Sequence, residues 1–326
     1  MNTQTCVDQN PKHRIGILAI VMFLTAFFVF NSSQAFAQNP QQVALLRWYS
    51  ANQTTSFTGI VGAYGLAFDG QNIWATEYSK NFIVKLRADD GDMLDEYLVG
   101  TGPIAVAYDG ANVWVANLGS NNVTKLQAST GTVLGTYAVG TAPYALAFDG
   151  TYIWVANEGS NTVTKLQASS GVVIGSYAVG TAPVAVAFDG TDIWVANWST
   201  SNVTRLQAST GSVIGTYAVG ISPRGLAFDG ANIWVANASS STVTKIAAST
   251  GAIVGAYSVG SEPFALAFDG VNIWVADLSG DAVTKLLAST GAVEGTFALS
   301  SAPIGVAFDG ANIWVSSYNG GLVFKM

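Results

Sequence analysis

A forty-residue unit recurs seven times in this chain of 326 residues, with no residue gained or lost between copies. Its marker is Asp-Gly followed four residues on by Trp, at Asp69-Gly70/Trp74, Asp109-Gly110/Trp114, Asp149-Gly150/Trp154, Asp189-Gly190/Trp194, Asp229-Gly230/Trp234, Asp269-Gly270/Trp274 and Asp309-Gly310/Trp314. A fixed period of this length makes each copy one supersecondary unit, so the fold must be an array of such units.

The third copy shows what the unit is. Residues 144–148 are apolar and short, and Asp149-Gly150 follows as a hairpin turn, since Gly accepts positive φ and Asp tolerates it. Residues 153–156 are rich in β-branched and aromatic side chains, and 157–161 form a polar loop. Residues 162–166 alternate in polarity, Ala168-Ser169-Ser170-Gly171 turns the chain again, and 172–179 form a fourth run. Nothing repeats at 3.6-residue spacing over a helical length, which excludes helical repeats. Four short strands per unit and seven units predict an all-β fold, a seven-bladed β-propeller of four-stranded antiparallel blades.

A linear solenoid would need polar end caps. Instead the last copy stops at Val323-Phe324-Lys325-Met326, which matches Val283-Thr284-Lys285-Leu286, and its fourth strand is missing. The stretch 43–58 can supply it, with Phe57 in phase with Tyr137. The N-terminal strand would then complete the last blade and leave no open edge to the array.

The first 37 residues differ from the rest. Lys12, His13 and Arg14 precede a sixteen-residue apolar run, 15–30, and Ala35-Phe36-Ala37 follows. This is the pattern of a secretory signal peptide. A retained anchor is the alternative, although the run is shorter than the roughly 20 residues a membrane span requires. The expected organisation is a signal at 1–37 and the propeller at 38–326, in a secreted, extracellular or periplasmic protein without a membrane span after cleavage. The only cysteine, Cys6, and the only histidine, His13, would leave with the signal. The exported chain would then have no disulfide, no thiolate nucleophile and no imidazole base or metal ligand. Removal of Asp8, Lys12 and Arg14 takes the formal net charge from −7 to −8. Acidity of this kind argues against a nucleic acid partner.

The run "PxxxAFDGxxIWVANxxSNxVTKLxASTGxxxGTYxVG" closely resembles the repeats of YVTN and NHL-type propellers and is similar to the blades of streptogramin B lyase, over roughly residues 43–326. The resemblance implies the propeller fold. Its functional implication is broad, because such propellers serve as lyases, lactonases, sensors and binding modules. The lyase family is understood to use a histidine base with acidic residues near a divalent metal. Residues 38–326 contain no histidine, so none of its functional residues carries over.

Residues present in every copy are best explained by the fold. The Asp of Asp-Gly suits the turn, and the Trp suits a wedge between blades. The basic ring Lys85, Lys125, Lys165, Arg205, Lys245, Lys285 and Lys325 is expected on a strand face, with packed stems and charged tips in water. Asp89-Asp90-Gly91-Asp92, with Asp95 and Glu96, is expected to be a solvated acidic hairpin that lacks the spacing of a calcium loop.

Positions that differ between copies are the functional candidates. In a propeller, the loop after the second strand and the start of the first strand open on one face. The second strand ends at Glu77 and Asp277 where other copies have Asn or Ser. The next residue is Tyr78, Trp198 or Tyr318 in three copies. The first strand opens with Tyr64, Tyr144, Arg224 or Phe264 in four copies and with aliphatic residues in the rest. Aromatic rings with nearby charges on loops fit a binding surface. The expected function is a non-catalytic, monomeric binding or scaffold module for a protein, a peptide or a cell-envelope glycan, without a cofactor. The alternative is a metal-dependent lyase or lactonase, with Glu77 and Asp277 holding Ca2+ or Mg2+ near the axis.

Overall fold

The computed structural model describes residues 55–60 and 62–326. The signal segment expected at 1–37, with Cys6 and His13, and the 43–54 part of the expected closing stretch lie outside the described residues. No helix among the described residues is long and apolar enough to cross a membrane.

The chain forms seven four-stranded antiparallel sheets. In blade 3 the strands are Pro143–Phe148, Tyr152–Asn157, Thr162–Gln167 and Val173–Ala178. The same order, inside to outside, repeats in blades 1 to 6. The innermost strand of each blade packs beside that of the next, and Pro303–Phe308 of blade 7 packs beside Ala63–Phe68 of blade 1. The seven inner strands therefore enclose a central axis.

Blade 7 is closed by both ends of this propeller. Thr55–Thr58 pairs antiparallel with Leu322–Lys325, Phe57 opposite Val323. Phe57 stacks on Trp314 at 5.6 Å between centroids, the spacing at which Tyr137 meets Trp114 in blade 2. The register expected for Phe57 is the one observed.

Adjacent blades are joined by one repeated set of contacts. The Asp carboxylate accepts two backbone N–H groups of its own turn through one oxygen and the indole N–H of the Trp through the other. In blade 5, Asp229 Oδ1 accepts from Ala231 and Asn232, and Oδ2 accepts from Trp234 Nε1. The indole bond measures 2.7–2.8 Å in all seven blades. A buried indole needs such an acceptor, and the carboxylate supplies it while fixing the turn. The ring so anchored wedges into the next blade: Trp154 packs with Ile193, Val195 and Leu206 of blade 4. An outer-strand Tyr then lies flat against the glycine turn of the following blade. At Gly131, whose φ is +72°, a Cβ would fall 1.9 Å from Tyr97.

The basic ring departs from expectation. Three of its seven members are buried and the others only partly exposed. Lys125, Lys165 and Lys245 are buried. Each lies over the indole of its own blade at 4.9–5.1 Å and donates at 2.6–2.7 Å to a backbone carbonyl of the next blade, Ala168, Ala208 and Ala288 respectively. Lys85 reaches Ala128, and Lys325 closes the circle on Ala88 and Asp89 of blade 1. For Lys85, Lys125, Lys165 and Lys245 the acceptor is 43 residues away in sequence, and the cation satisfies it while resting on a π face. Two members differ. Arg205 turns to the buried Asp192 at 2.7 Å. Lys285 faces blade 7, whose outer strand comes from the other end of the sequence and so lacks the acceptor turn. It pairs with Glu294 at 3.1 Å instead. The acidic hairpin of blade 1 is held by Arg87, which pairs with Asp90 at 2.6 Å and Asp92 at 3.5 Å.

A second ring stands where the second strands end. Asn117, Asn157, Asn197 and Asn237 are buried, and each donates to a threonine of the third strand at 2.8–2.9 Å. Blade 6 has Asp277 in this place, and Thr284 donates to its carboxylate at 2.5 Å. Burial pushes the Asp277 carboxyl up from 3.8 to about 6.

Three outcomes follow. Asp229→Ala strands the indole N–H of Trp234 and is expected to lower unfolding free energy by about 2–3 kcal/mol in urea titrations. Burial alone would raise the Asp229 pKa. The bonds from Trp234, Ala231 and Asn232 outweigh it and hold the carboxyl below the usual range. This contribution is therefore full at neutral pH and fades as the pH falls below about 4. Asp277 has the opposite sign. Its native form binds the proton more tightly than the unfolded chain, so ionisation costs stability as the pH rises from about 4 to 6. Asp277→Asn is expected to stabilise by about 1–2 kcal/mol at pH 7, with the difference vanishing below pH 4 in the same titrations. Phe57→Ala is expected to cost about 2 kcal/mol by loss of the half-buried ring that covers Trp314, read by thermal and urea unfolding.

Candidate functional site

The axis opens into a mouth lined by three residues from each inner strand, enclosing about 190 Å³. All seven strand openers line it, and among the lining residues Arg224 alone is charged. Burial sorts these openers. Ile104, Val184 and Ile304 are buried, whereas Tyr64, Tyr144, Arg224 and Phe264 remain partly exposed. The surface presented to solvent at the axis is thus aromatic with one cation.

Two groups form around it. Arg224 lies between two rings, its guanidinium carbon 4.9 Å from the centroid of Trp198 and 4.9 Å from that of Phe264. Its Nη1 donates at 3.4 Å to the Tyr144 hydroxyl, two blades away. Among the described residues Arg224 has no ion-pair partner, and its buried Nε has no hydrogen-bond partner. On the side of blades 7 and 1, Tyr64 meets Tyr78 at 5.8 Å and Tyr318 edge-on at 5.4 Å. Burial pushes the Tyr64 hydroxyl well above the ordinary tyrosine range, and the neighbouring tyrosines add to this against the pull of Arg224. Burial likewise raises Tyr144. Both hydroxyls are therefore neutral and able to donate.

Seven of the nine residues expected at the loop-bearing face are gathered here: Tyr64, Tyr78, Tyr144, Trp198, Arg224, Phe264 and Tyr318. Glu77 and Asp277 are placed otherwise. Both are fully buried in the ring that ends the second strands, Glu77 paired with Lys80 at 3.0 Å and Asp277 held by Thr284. Neither lines the mouth. No group of three or more acidic, His or Cys side chains among the described residues is arranged to hold a metal.

Glycines at the third position of the inner strand complete the site. Gly65, Gly225 and Gly305 stand where the other copies have Ala. A Cβ at Gly225 would fall 2.5 Å from the Phe264 carbonyl, and one at Gly305 would fall 2.3 Å from that of Tyr64. The missing methyl lets the neighbouring inner strand approach closely. Ser316 fixes the same point by donating to the Tyr64 carbonyl at 2.6 Å. The Ala-to-Gly exchange beside Tyr64, Arg224 and Ile304 is a sequence signal that a search for large or charged side chains passes over.

Neither a family model nor a curated protein matches the chain. Solved structures do. A streptogramin B lyase structure is similar with a TM-score of 0.73 and 19% identity, over 84% of this chain and 96% of that one. Kuenenia stuttgartiensis hydrazine synthase is similar with a TM-score of 0.74 and 17% identity, over 82% of this chain and 96% of that one. At such identities the likeness carries the architecture and no more. The chain is a seven-bladed β-propeller similar in fold to streptogramin B lyase.

Proposed function

We propose that this protein is an exported, non-catalytic binding module that holds a ligand over the axial mouth. One observation carries the reading. Forty-residue copies that are otherwise nearly alike diverge at the mouth, where they bring partly exposed aromatic rings around an arginine without a counter-charge among the described residues. Interfaces take most of their energy from a few buried aromatic and Arg anchors. The mouth is smaller than the roughly 300–1,000 Å³ of a pocket that engulfs a drug-sized molecule. It suits one projecting group of a larger partner, with Tyr78, Trp198 and Tyr318 meeting what surrounds that group.

The alternative is a metal-dependent lyase or lactonase on an architecture shared with a streptogramin B lyase. The burial of Glu77 and Asp277 in separate blades speaks against their joint use at the axis. Calorimetric titration with Ca2+ and Mg2+ separates the readings: the binding module takes up neither ion at the mouth.

The direct test is a screen of glycans and peptides against the full chain, repeated with Trp198→Ala and with Tyr318→Ala. Each variant is expected to bind the screened ligand at least tenfold more weakly with an unchanged melting temperature. Full binding by both would overturn the axial site.

A further inference from the structure

The surroundings of Arg224 restrict what can approach it. Its guanidinium carbon lies 4.9 Å from the ring centroid of Trp198 and 4.9 Å from that of Phe264. The N–H donors of the guanidinium lie in one plane, and that edge matches a planar oxyanion. Only one cation lines the mouth. One guanidinium balances a monoanionic carboxylate, whereas a dianionic phosphate would leave excess charge in a partly desolvated site.

The rest of the mouth points to the group that carries the carboxylate. Tyr64, Tyr78, Tyr144 and Tyr318 combine apolar ring faces with hydroxyls. A partner that is itself a ring with apolar faces and several hydroxyls would satisfy both features. We infer that the axial mouth recognises the uronic acid unit of an acidic glycan, with the carboxylate on the edge of Arg224 and the sugar ring against the tyrosines. This inference rests on the proposed axial binding site and assigns its ligand class.

Ligand-observed NMR and calorimetry on the full chain test it with D-glucuronate, D-glucose, glucose 6-phosphate and acetate. Glucuronate is expected to bind at least tenfold more tightly than the other three. Arg224→Gln should abolish that preference, Arg224→Lys should retain part of it, and the melting temperature should report that both variants fold. Glucuronate binding that survives Arg224→Gln, a stronger response to glucose 6-phosphate, or no response to glucuronate would each overturn the inference. Equal binding of glucose and glucuronate would overturn it too. If that binding is lost in Trp198→Ala, the axial site stands and only the ligand class fails. If it is indifferent to Trp198→Ala, the axial site fails with it.

Discussion

The contact between one blade and the next is the constraint from which the structure follows. Each blade offers an indole anchored by its own aspartate and a cation resting on that indole. Each receives its neighbour's indole among its apolar side chains, and five of the seven receive the neighbour's ammonium on a backbone carbonyl. No blade can satisfy these groups alone. A stack of such units would leave the indole-bearing face open at one end and the receiving face open at the other, whereas a ring leaves neither. Lys325 on Ala88 is this contact made from blade 7 to blade 1, and Phe57 on Trp314 completes blade 7 as Tyr137 on Trp114 completes blade 2. Because seven inner strands then converge, the mouth exists only as a property of the closed circle.

Repetition also makes departures informative. Where the ring is interrupted, the sequence compensates locally. Glu294 replaces an aliphatic residue opposite Lys285, whose usual acceptor is missing. Asp192 appears opposite Arg205, the one arginine of the basic ring. These departures keep charges paired. Those at the mouth do not, since Arg224 has no counter-charge among the described residues and its rings are partly exposed. A departure that repairs packing and one that leaves a charge unmet have different meanings, and the second kind marks the candidate site.

Much of this is legible in the sequence. Blade strands, the closing role of Phe57 and the shared face of Tyr64, Tyr78 and Trp198 follow from period and turn chemistry, which are local. What stayed hidden depends on contacts between blades. The lysines look like solvated strand residues because each partner carbonyl lies in the neighbouring repeat. Glu77 and Asp277 look like exposed loop acids, yet they occupy a position whose burial is fixed by the packing of the strand end. The glycines beside Arg224 and Tyr64 carry no side chain to notice, and their meaning lies in how near the next strand comes.

Closure is the claim on which the mouth and its ligand depend. Native-state hydrogen exchange of the amides in Thr55–Thr58 and Leu322–Lys325 measures it most directly. A closed ring gives these amides the same protection as the outer strands of the interior blades, such as Val133–Ala138. Exchange of Thr55–Thr58 at the rate of an unstructured peptide, with blade 7 opening while blades 2 to 5 stay protected, would contradict the account.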